Sequence, residues 1–377
     1  MNIQHQLILS IGSNIEPKET FINDAICHIN NEIGTIIKTS SLYETEAWGF
    51  ESDAFYNAVL WVHTFKNPHQ ILKKIIKIEK LLGRNRAEKS TTYQARTIDI
   101  DIVAFNDEII LDNDLQIPHK QIHKRNFVLQ PLLEILPTWE HPTLQKNIAE
   151  LVKESTDTTV CKQLKPLEYP LQKFTFKNLN LMVIEGNIGA GKTTLSQKIS
   201  EDFNAKLVLE RFADNPFLPK FYEDQNRYAF PLEMSFLADR YRQIMDDLAQ
   251  FDLFKEFVVA DYHIFKSLIF AKVTLQEDEF KLYKTMFDIM YKEIPKPNLY
   301  IYLYQNTPKL LQNIKKRGRG YEQKIAPEYL NKINDGYLEF IKTHSELNVK
   351  IIDSTDKDFV KNPADYQWIL EQISSFN

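Results

Sequence analysis

One eight-residue stretch, Gly186-Asn187-Ile188-Gly189-Ala190-Gly191-Lys192-Thr193, constrains this 377-residue chain more than any other. It fits G-x-x-x-x-G-K-[ST], follows an apolar run over 181–185 and precedes a helical pattern from Lys192. Glycines there let successive backbone N–H groups face one anion, and a helix N-terminus adds partial positive charge. The expected ligand is ATP. Lys192 would place a cation on its β- and γ-oxygens, Thr193 would offer a hydroxyl to magnesium, and Thr194 continues the same ATP-binding turn. Such a strand–loop–helix unit needs strands beside it. Apolar runs over 206–209, 257–260, 298–304 and 349–352, separated by helical stretches, predict an α/β domain with a parallel sheet.

A P-loop leaves kinase, ATPase and GTPase open, so its neighbours matter. Glu210 ends the second apolar run and should project over the carboxyl edge of the sheet. There it is either a solvated strand-end charge or a carboxylate able to take a proton from an attacking hydroxyl. Asp261 ends the run 257–260 in the same way and is a candidate magnesium ligand. The stretch Lys315-Lys316-Arg317-Gly318-Arg319-Gly320 is either a solvated charge run or a lid bringing Arg317 and Arg319 onto transferring phosphates.

With GNIGAGKTT, LVLERFADNPFLPKFY, LEMSFLADRY and RGRGYEQKIAPEYL, residues 180–377 resemble the deoxyribonucleoside kinase family. The resemblance implies Glu210 as base for a sugar 5′-hydroxyl, Tyr222 and Glu322 on the 3′-hydroxyl, Arg317 and Arg319 acting from the lid, and Glu233 and Arg240 near the nucleobase. It also suggests a homodimer formed through this half. Two departures bear on base choice. Glu233 stands where the family commonly has glutamine, and Asp261-Tyr262-His263 replaces an Asp/Glu-Arg-Ser signature, removing an arginine. An ionised carboxylate only accepts hydrogen bonds, which points to an exocyclic amino group such as that of adenine or cytosine; Arg240 and the altered signature turn the expectation to deoxyadenosine.

The first half reads as a strand over 6–11, a helix over 17–31, strands over 35–43 and 55–63, a helix over 68–82 and a strand over 97–105. This βαββαβ order predicts an α+β, ferredoxin-like domain. Its informative motif is Arg96-Thr-Ile-Asp99-Ile-Asp101. Residues two apart on a strand share a face, so the two carboxylates converge. Alone that is more often a polar strand face. With Arg84, Arg86, Arg96, His119 and Arg125 around it, the pair suits a magnesium–polyphosphate site. Phe55 and Phe127 are core residues or a clamp on a flat heterocycle whose edge Asn57 would read.

IGSN at 11–14, SSLYETEAWG at 40–49, FYNAV at 55–59, GRNR at 83–86, ARTIDIDI at 95–102, IPH from 117 and KRNF ending at 127 together resemble 6-hydroxymethyl-7,8-dihydropterin pyrophosphokinase over about residues 5–160. The resemblance implies pyrophosphoryl transfer from ATP to the pterin hydroxymethyl group, a step of folate synthesis. It implies magnesium on Asp99 and Asp101, ATP on Arg84, Arg96, His119 and Arg125 with Glu79 nearby, and pterin on Thr45, Phe55, Asn57 and Phe127. Tyr93 stands where a tryptophan is frequent. The competing reading makes this half a binding or structural module beside a single catalytic P-loop half.

A linker is expected over 161–178, where periodicity is lost and prolines stand at 166 and 170, dividing 1–160 from 179–377. The net charge of −5 gives no basic field for nucleic acid or an anionic membrane. Two cysteines without metal-type spacing, and no apolar stretch long enough to span a bilayer, predict a cytoplasmic protein acting on small molecules.

Overall fold

The computed structural model describes residues 4–47, 52–84, 95–176, 178–211, 215–249, 255–323 and 325–375. The chain divides into two compact units, Met1–Lys173 with Lys361–Gln367, and Phe174–Val360 with Trp368–Asn377.

The first unit runs β1 (His5–Ser13), α1 (Lys18–Glu32), β2 (Thr35–Thr39), β3 (Ser41–Thr45), β4 (Phe55–Thr64), α2 (Pro68–Leu81), β5 (Asp99–Phe105), the short pair β6 (Ile110–Leu111) and β7 (Gln116–Ile117), α3 (Asn126–Ile135), α4 (Ile148–Glu154) and β8 (Lys162–Pro166). Helix α2 shows why such segments form. The Asn67 side chain and Gln70 close a capping box, Pro68 occupies the first turn, and Ile71, Ile75 and Ile78 make one buried face. The main sheet has the order β5-β1-β4-β3-β8, with β2 also on β4. All its pairings are antiparallel.

Two local expectations change. The single strand over 35–43 is broken at Ser40, whose Oγ accepts the Val59 N–H at 3.0 Å and so replaces a ladder bond. The stretch read as linker supplies β8, hydrogen-bonded to β3. Every residue of β8 is exposed, so this edge strand has no apolar alternation to reveal it.

The second unit contains β9 (Leu181–Glu185), α5 (Lys192–Asp202), β10 (Lys206–Val208), α6 (Leu218–Glu223), α7 (Gln225–Ala249), β11 (Val258–Ala260), α8 (Phe265–Thr274), α9 (Glu277–Tyr291), β12 (Leu299–Tyr304), α10 (Thr307–Arg317), α11 (Pro327–Thr343), β13 (Val349–Asp353) and, from Trp368 on, α12 (Pro363–Ser374). Its sheet is parallel with the order β10-β11-β9-β12-β13. The chain leaves central β9 toward one side for β10 and β11 and toward the other for β12 and β13. That reversal opens a crevice at the carboxyl end of β9, where the glycine-rich turn sits. Leu181, Val183, Val258, Ala260, Tyr300 and Tyr302 build the core beneath it with aromatic residues of α8, α9 and α11.

Candidate active sites

In the first unit β3, β4 and β5 deliver Thr45, Phe55, Asn57, Asp99 and Asp101 to one cleft, and the stretch before β5 and the start of α3 add Arg96, Arg125 and Phe127. Asp99 and Asp101 alternate with buried Ile100 and Ile102, so both carboxylates stand on the same face of β5. Asp99 pairs with Arg84 through one oxygen and with Arg96 through the other. Arg125 Nη1 lies 3.8 Å from Asp101 Oδ2. Desolvation first, and the Asp99 charge next, push the Asp101 carboxyl up to about 7. Two close carboxylates without a bridging cation carry that cost. Paired hard oxygens flanked by arginines fit a magnesium ion that keeps its remaining ligands from water and phosphate. Among the described residues no three His, Cys, Asp or Glu side chains form a complete metal cage.

Asn57 donates from Nδ2 to Thr45 Oγ1 at 2.8 Å. A Cβ on Gly12, its partner in the ladder, would stand 2.8 Å from Asn57 Oδ1, so any larger residue there would displace the Asn57 amide. Phe55 and Phe127 both line the cleft, and the Arg125 guanidinium lies 5.6 Å from the Phe127 ring centre. Three expected contacts sit further back. Arg84 reaches the cleft through Asp99. Glu79 is 1% exposed, pairs with Arg84 and accepts the Ile100 N–H at 3.0 Å, so it braces β5 from behind. His119 does not line the cleft; burial, then Arg125, lower its pKa to about 4, leaving a neutral ring. Arg86 and Tyr93 lie outside the described residues. Asn14 had no assigned role, yet it is buried, and its Oδ1 accepts the Arg96 N–H at 2.6 Å, fixing the start of the Arg96–Asp101 run.

In the second unit the turn between β9 and α5 is pinned by Asn187. Its Nδ2 donates to Leu330 O at 2.7 Å and to Asn334 Oδ1 at 2.8 Å. Gly191 adopts φ +92, and a Cβ there would meet the Phe359 ring at 2.8 Å, so the loop accepts only glycine. Ile188, Gly189, Lys192 and Thr193 line the cleft, with Gly186 and Ala190 buried beneath; Thr194 is exposed on α5 and points elsewhere. Desolvation, then repulsion from Lys266, lower the Lys192 pKa to about 8. The Thr193 hydroxyl donates to Asp261, whose other oxygen accepts the Glu210 N–H at 2.8 Å. A hydroxyl and a carboxylate at the mouth of a phosphate loop are the hard donors a magnesium–triphosphate complex uses, so these residues fit the ion.

Glu210 is clamped. Arg240 donates to its Oε1 from Nε at 2.8 Å and from Nη2 at 2.7 Å, and Lys266 Nζ meets Oε2 at 2.5 Å. Burial alone would raise its pKa, but Lys266 and Arg240 hold the carboxyl well below the usual carboxylate range. Seven residues, two helical turns, separate Glu233 from Arg240 on α7, and both face the cleft. Glu233 is 2% exposed; its Oε1 accepts from Thr274 Oγ1 at 3.0 Å, and its Oε2 has no partner. Burial pushes its pKa up to about 7, against the opposing pull of Arg240. Tyr222 lines the same cleft. Glu322 is held by Arg317 Nε at 3.0 Å and by Arg319 Nη1 at 3.3 Å, so the acid and both arginines form one cluster at the end of α10.

The cation missing from the Asp261-Tyr262-His263 stretch is restored three residues later. Tyr262 and His263 are buried, and the His263 N–H goes to Glu185, whose other oxygen accepts from Tyr337. Lys266, Phe270 and Thr274 occur at every fourth position of α8, so one helix face reaches Glu210, lines the cleft and holds Glu233. That spacing is the signal in the sequence that marks Lys266.

Residues 182–377 match the deoxynucleoside kinase family, and residues 8–137 match the 7,8-dihydro-6-hydroxymethylpterin-pyrophosphokinase family. A deoxyguanosine kinase of Bacillus subtilis (strain 168) is 40% identical over 196 residues, covering 51% of this chain and 95% of the relative. A 2-amino-4-hydroxy-6-hydroxymethyldihydropteridine pyrophosphokinase of Aquifex aeolicus (strain VF5) is 40% identical over 158 residues, covering 42% of this chain and 96% of the relative. A deoxyguanosine kinase of Dictyostelium discoideum is 32% identical over 205 residues, covering 52% of this chain and 70% of the relative. The chain belongs to the deoxynucleoside kinase family through its second half and to the pterin pyrophosphokinase family through its first, and is a bifunctional kinase.

Proposed function

We propose that the second unit phosphorylates the 5′-hydroxyl of a purine deoxynucleoside, deoxyguanosine before deoxyadenosine. The observation that carries the base choice is the unpartnered, buried Oε2 of Glu233 beside an Oε1 that already accepts one bond. Guanine offers two adjacent donors, its ring N1–H and its 2-amino group, and both oxygens of an ionised carboxylate can accept them. Adenine and cytosine offer one amino donor beside an acceptor, and thymine one N–H between carbonyls. The 40% identical deoxyguanosine kinase supports the same reading. Deoxyadenosine stays second because a carboxyl with a pKa of about 7 is half protonated near neutrality and then reads as donor plus acceptor.

In this mechanism the Gly186–Thr193 turn and Lys192 hold the ATP phosphates, and Tyr222 and Glu322 hold the sugar 3′-hydroxyl. Glu210 accepts the hydrogen bond of the 5′-hydroxyl and takes its proton as the oxygen attacks the γ-phosphorus. A strongly acidic carboxyl suffices, because a loose transition state releases that proton late. Arg317 and Arg319 exchange Glu322 for the transferring phosphoryl oxygens. Magnesium, held from Thr193 and Asp261, supplies neutralisation of phosphate charge.

In the first unit, Asp99 and Asp101 hold magnesium and Arg84, Arg96, His119 and Arg125 serve the triphosphate, with Glu79 bracing them. Phe55 and Phe127 sandwich the pterin, whose edge Thr45 and Asn57 read. The antiparallel order β5-β1-β4-β3 around two crossover helices supports a ferredoxin-like plan for this unit. Leu282, Met286 and Ile289 leave an exposed apolar stripe on α9, which supports a homodimer through the second unit; light scattering tests it. Two free cysteines, and no described helix long and apolar enough to cross a membrane, support a cytoplasmic setting.

Product analysis tests the pairing of functions. The pterin alcohol should yield AMP, and deoxyguanosine should yield ADP at the highest kcat/KM among the four natural deoxynucleosides. Thymidine in first place would overturn the base assignment.

A further inference from the structure

We propose that Lys266 is a positioning residue for phosphoryl transfer, orienting the Glu210 carboxylate toward the attacking hydroxyl. The inference rests on the reading of Glu210 as the acceptor of the 5′-hydroxyl proton. Arg240 donates twice, but both bonds converge on Oε1. A carboxylate held at one oxygen can still swing about that point. Lys266 holds Oε2, and two fixed oxygens define the plane in which the remaining lone pairs lie.

Both cations are themselves anchored where α8 begins. Ser267 Oγ accepts from Arg240 Nη1 at 2.7 Å, and the Arg240 guanidinium lies 4.7 Å from the Phe236 ring centre. Lys266, one residue before Ser267, is 8% exposed, and its Nζ lies 5.6 Å from the Phe270 ring centre. The Glu210 backbone is fixed independently through Asp261, so what Lys266 adds is side-chain orientation. The Asp261-Tyr262-His263 stretch sends no cation into the cleft, because the His263 ring is buried, kept neutral by that burial and placed with Nε2 3.4 Å from Pro295 O.

The test uses the full chain with ATP and deoxyguanosine. Lys266→Met should lower kcat about 100-fold, the scale of a misplaced reacting group, with both KM values within about threefold of the parent. Lys266→Arg should recover kcat to within about fivefold, and Lys266→Gln, a donor without charge, should not. In a Glu210→Gln background, Lys266→Met should cost no more than about twofold, because there is no base left to orient. Should the Met variant fail to bind ATP, the Arg and Gln variants decide alone. The proposal is overturned by a Met variant with near-parental kcat, by an Arg variant as slow as Gln, or by the full loss persisting without Glu210. That last result would place Lys266 on the phosphates instead. A parent enzyme that phosphorylates no deoxynucleoside would refute the reading of the cleft rather than the role of Lys266.

Discussion

Replacing Glu233 by Gln should invert the base preference of the second cleft. In the parent enzyme above pH 7 the side chain is a carboxylate with one unpartnered oxygen, buried and lining the cleft. An amide keeps the shape but turns one acceptor into a donor, which then faces a guanine N–H. Losing one hydrogen bond to a charged group, with a donor left unpaired, costs about 1.5–3 kcal/mol. At about 1.4 kcal/mol per decade, kcat/KM for deoxyguanosine should fall by roughly 10- to 100-fold. Deoxyadenosine should gain, because an amide satisfies both its amino donor and its ring acceptor, by about 1 kcal/mol or roughly fivefold. The same substitution has a signature in stability. The Glu233 carboxyl holds its proton more tightly when folded, with a pKa of about 7 against an ordinary 4.5, so the folded state is penalised progressively as pH rises between those values. Above about pH 7 the penalty levels off near 3 kcal/mol on the scale of one pKa unit per 1.36 kcal/mol. The second unit of Glu233→Gln should therefore melt above the parent at pH 8, and the gap should close toward pH 4.5. Competition assays at pH 8 with both purine deoxynucleosides, beside thermal scans at pH 5 and pH 8, read both effects. An unchanged guanine-to-adenine ratio, or a gap in melting temperature that widens on acidification, would refute the reasoning.

The two activities should separate. Lys192→Ala removes the one lysine of the phosphate turn and should abolish ADP formation with deoxynucleosides while pterin-dependent AMP release stays near the parent rate; loss of both in a folded protein would contradict this. Asp99→Asn removes the charge that Arg84 and Arg96 share and half of the carboxylate pair, so AMP release should fall at least about 1,000-fold, several kcal/mol in barrier, without rescue by excess magnesium. Retained activity at saturating magnesium would make the pair a solvated strand face. Asn14→Ala should slow the same reaction about 10-fold through Arg96 without touching deoxynucleoside phosphorylation, and equal loss in both assays would count against a local role.

Local signals announced the two catalytic chemistries directly. Gly191 needs a positive φ that only its own residue type tolerates cheaply, and a lysine after it at a helix start has few other uses. Strand alternation put Asp99 and Asp101 on one face, because a period of two is a property of the backbone itself. Apolar periodicity likewise gave β9 its bounds of Leu181–Glu185 and kept α2 within a residue of expectation. Periodicity could not disclose β8, whose five exposed residues are a strand only because β3 offers an unpaired edge. It could not disclose the state of Glu233 either. Burial by α7, α8, α9 and α11, with a single hydroxyl in reach, decides whether that carboxyl carries a proton, and a one-dimensional string holds no burial. The spacing of Lys266, Phe270 and Thr274 marks one helix face in the sequence, but for the same reason it names no partner for Lys266. That lysine became a partner of Glu210, 56 residues away, only when the fold brought the stretch after β10 and the first turn of α8 together and buried the two opposite charges.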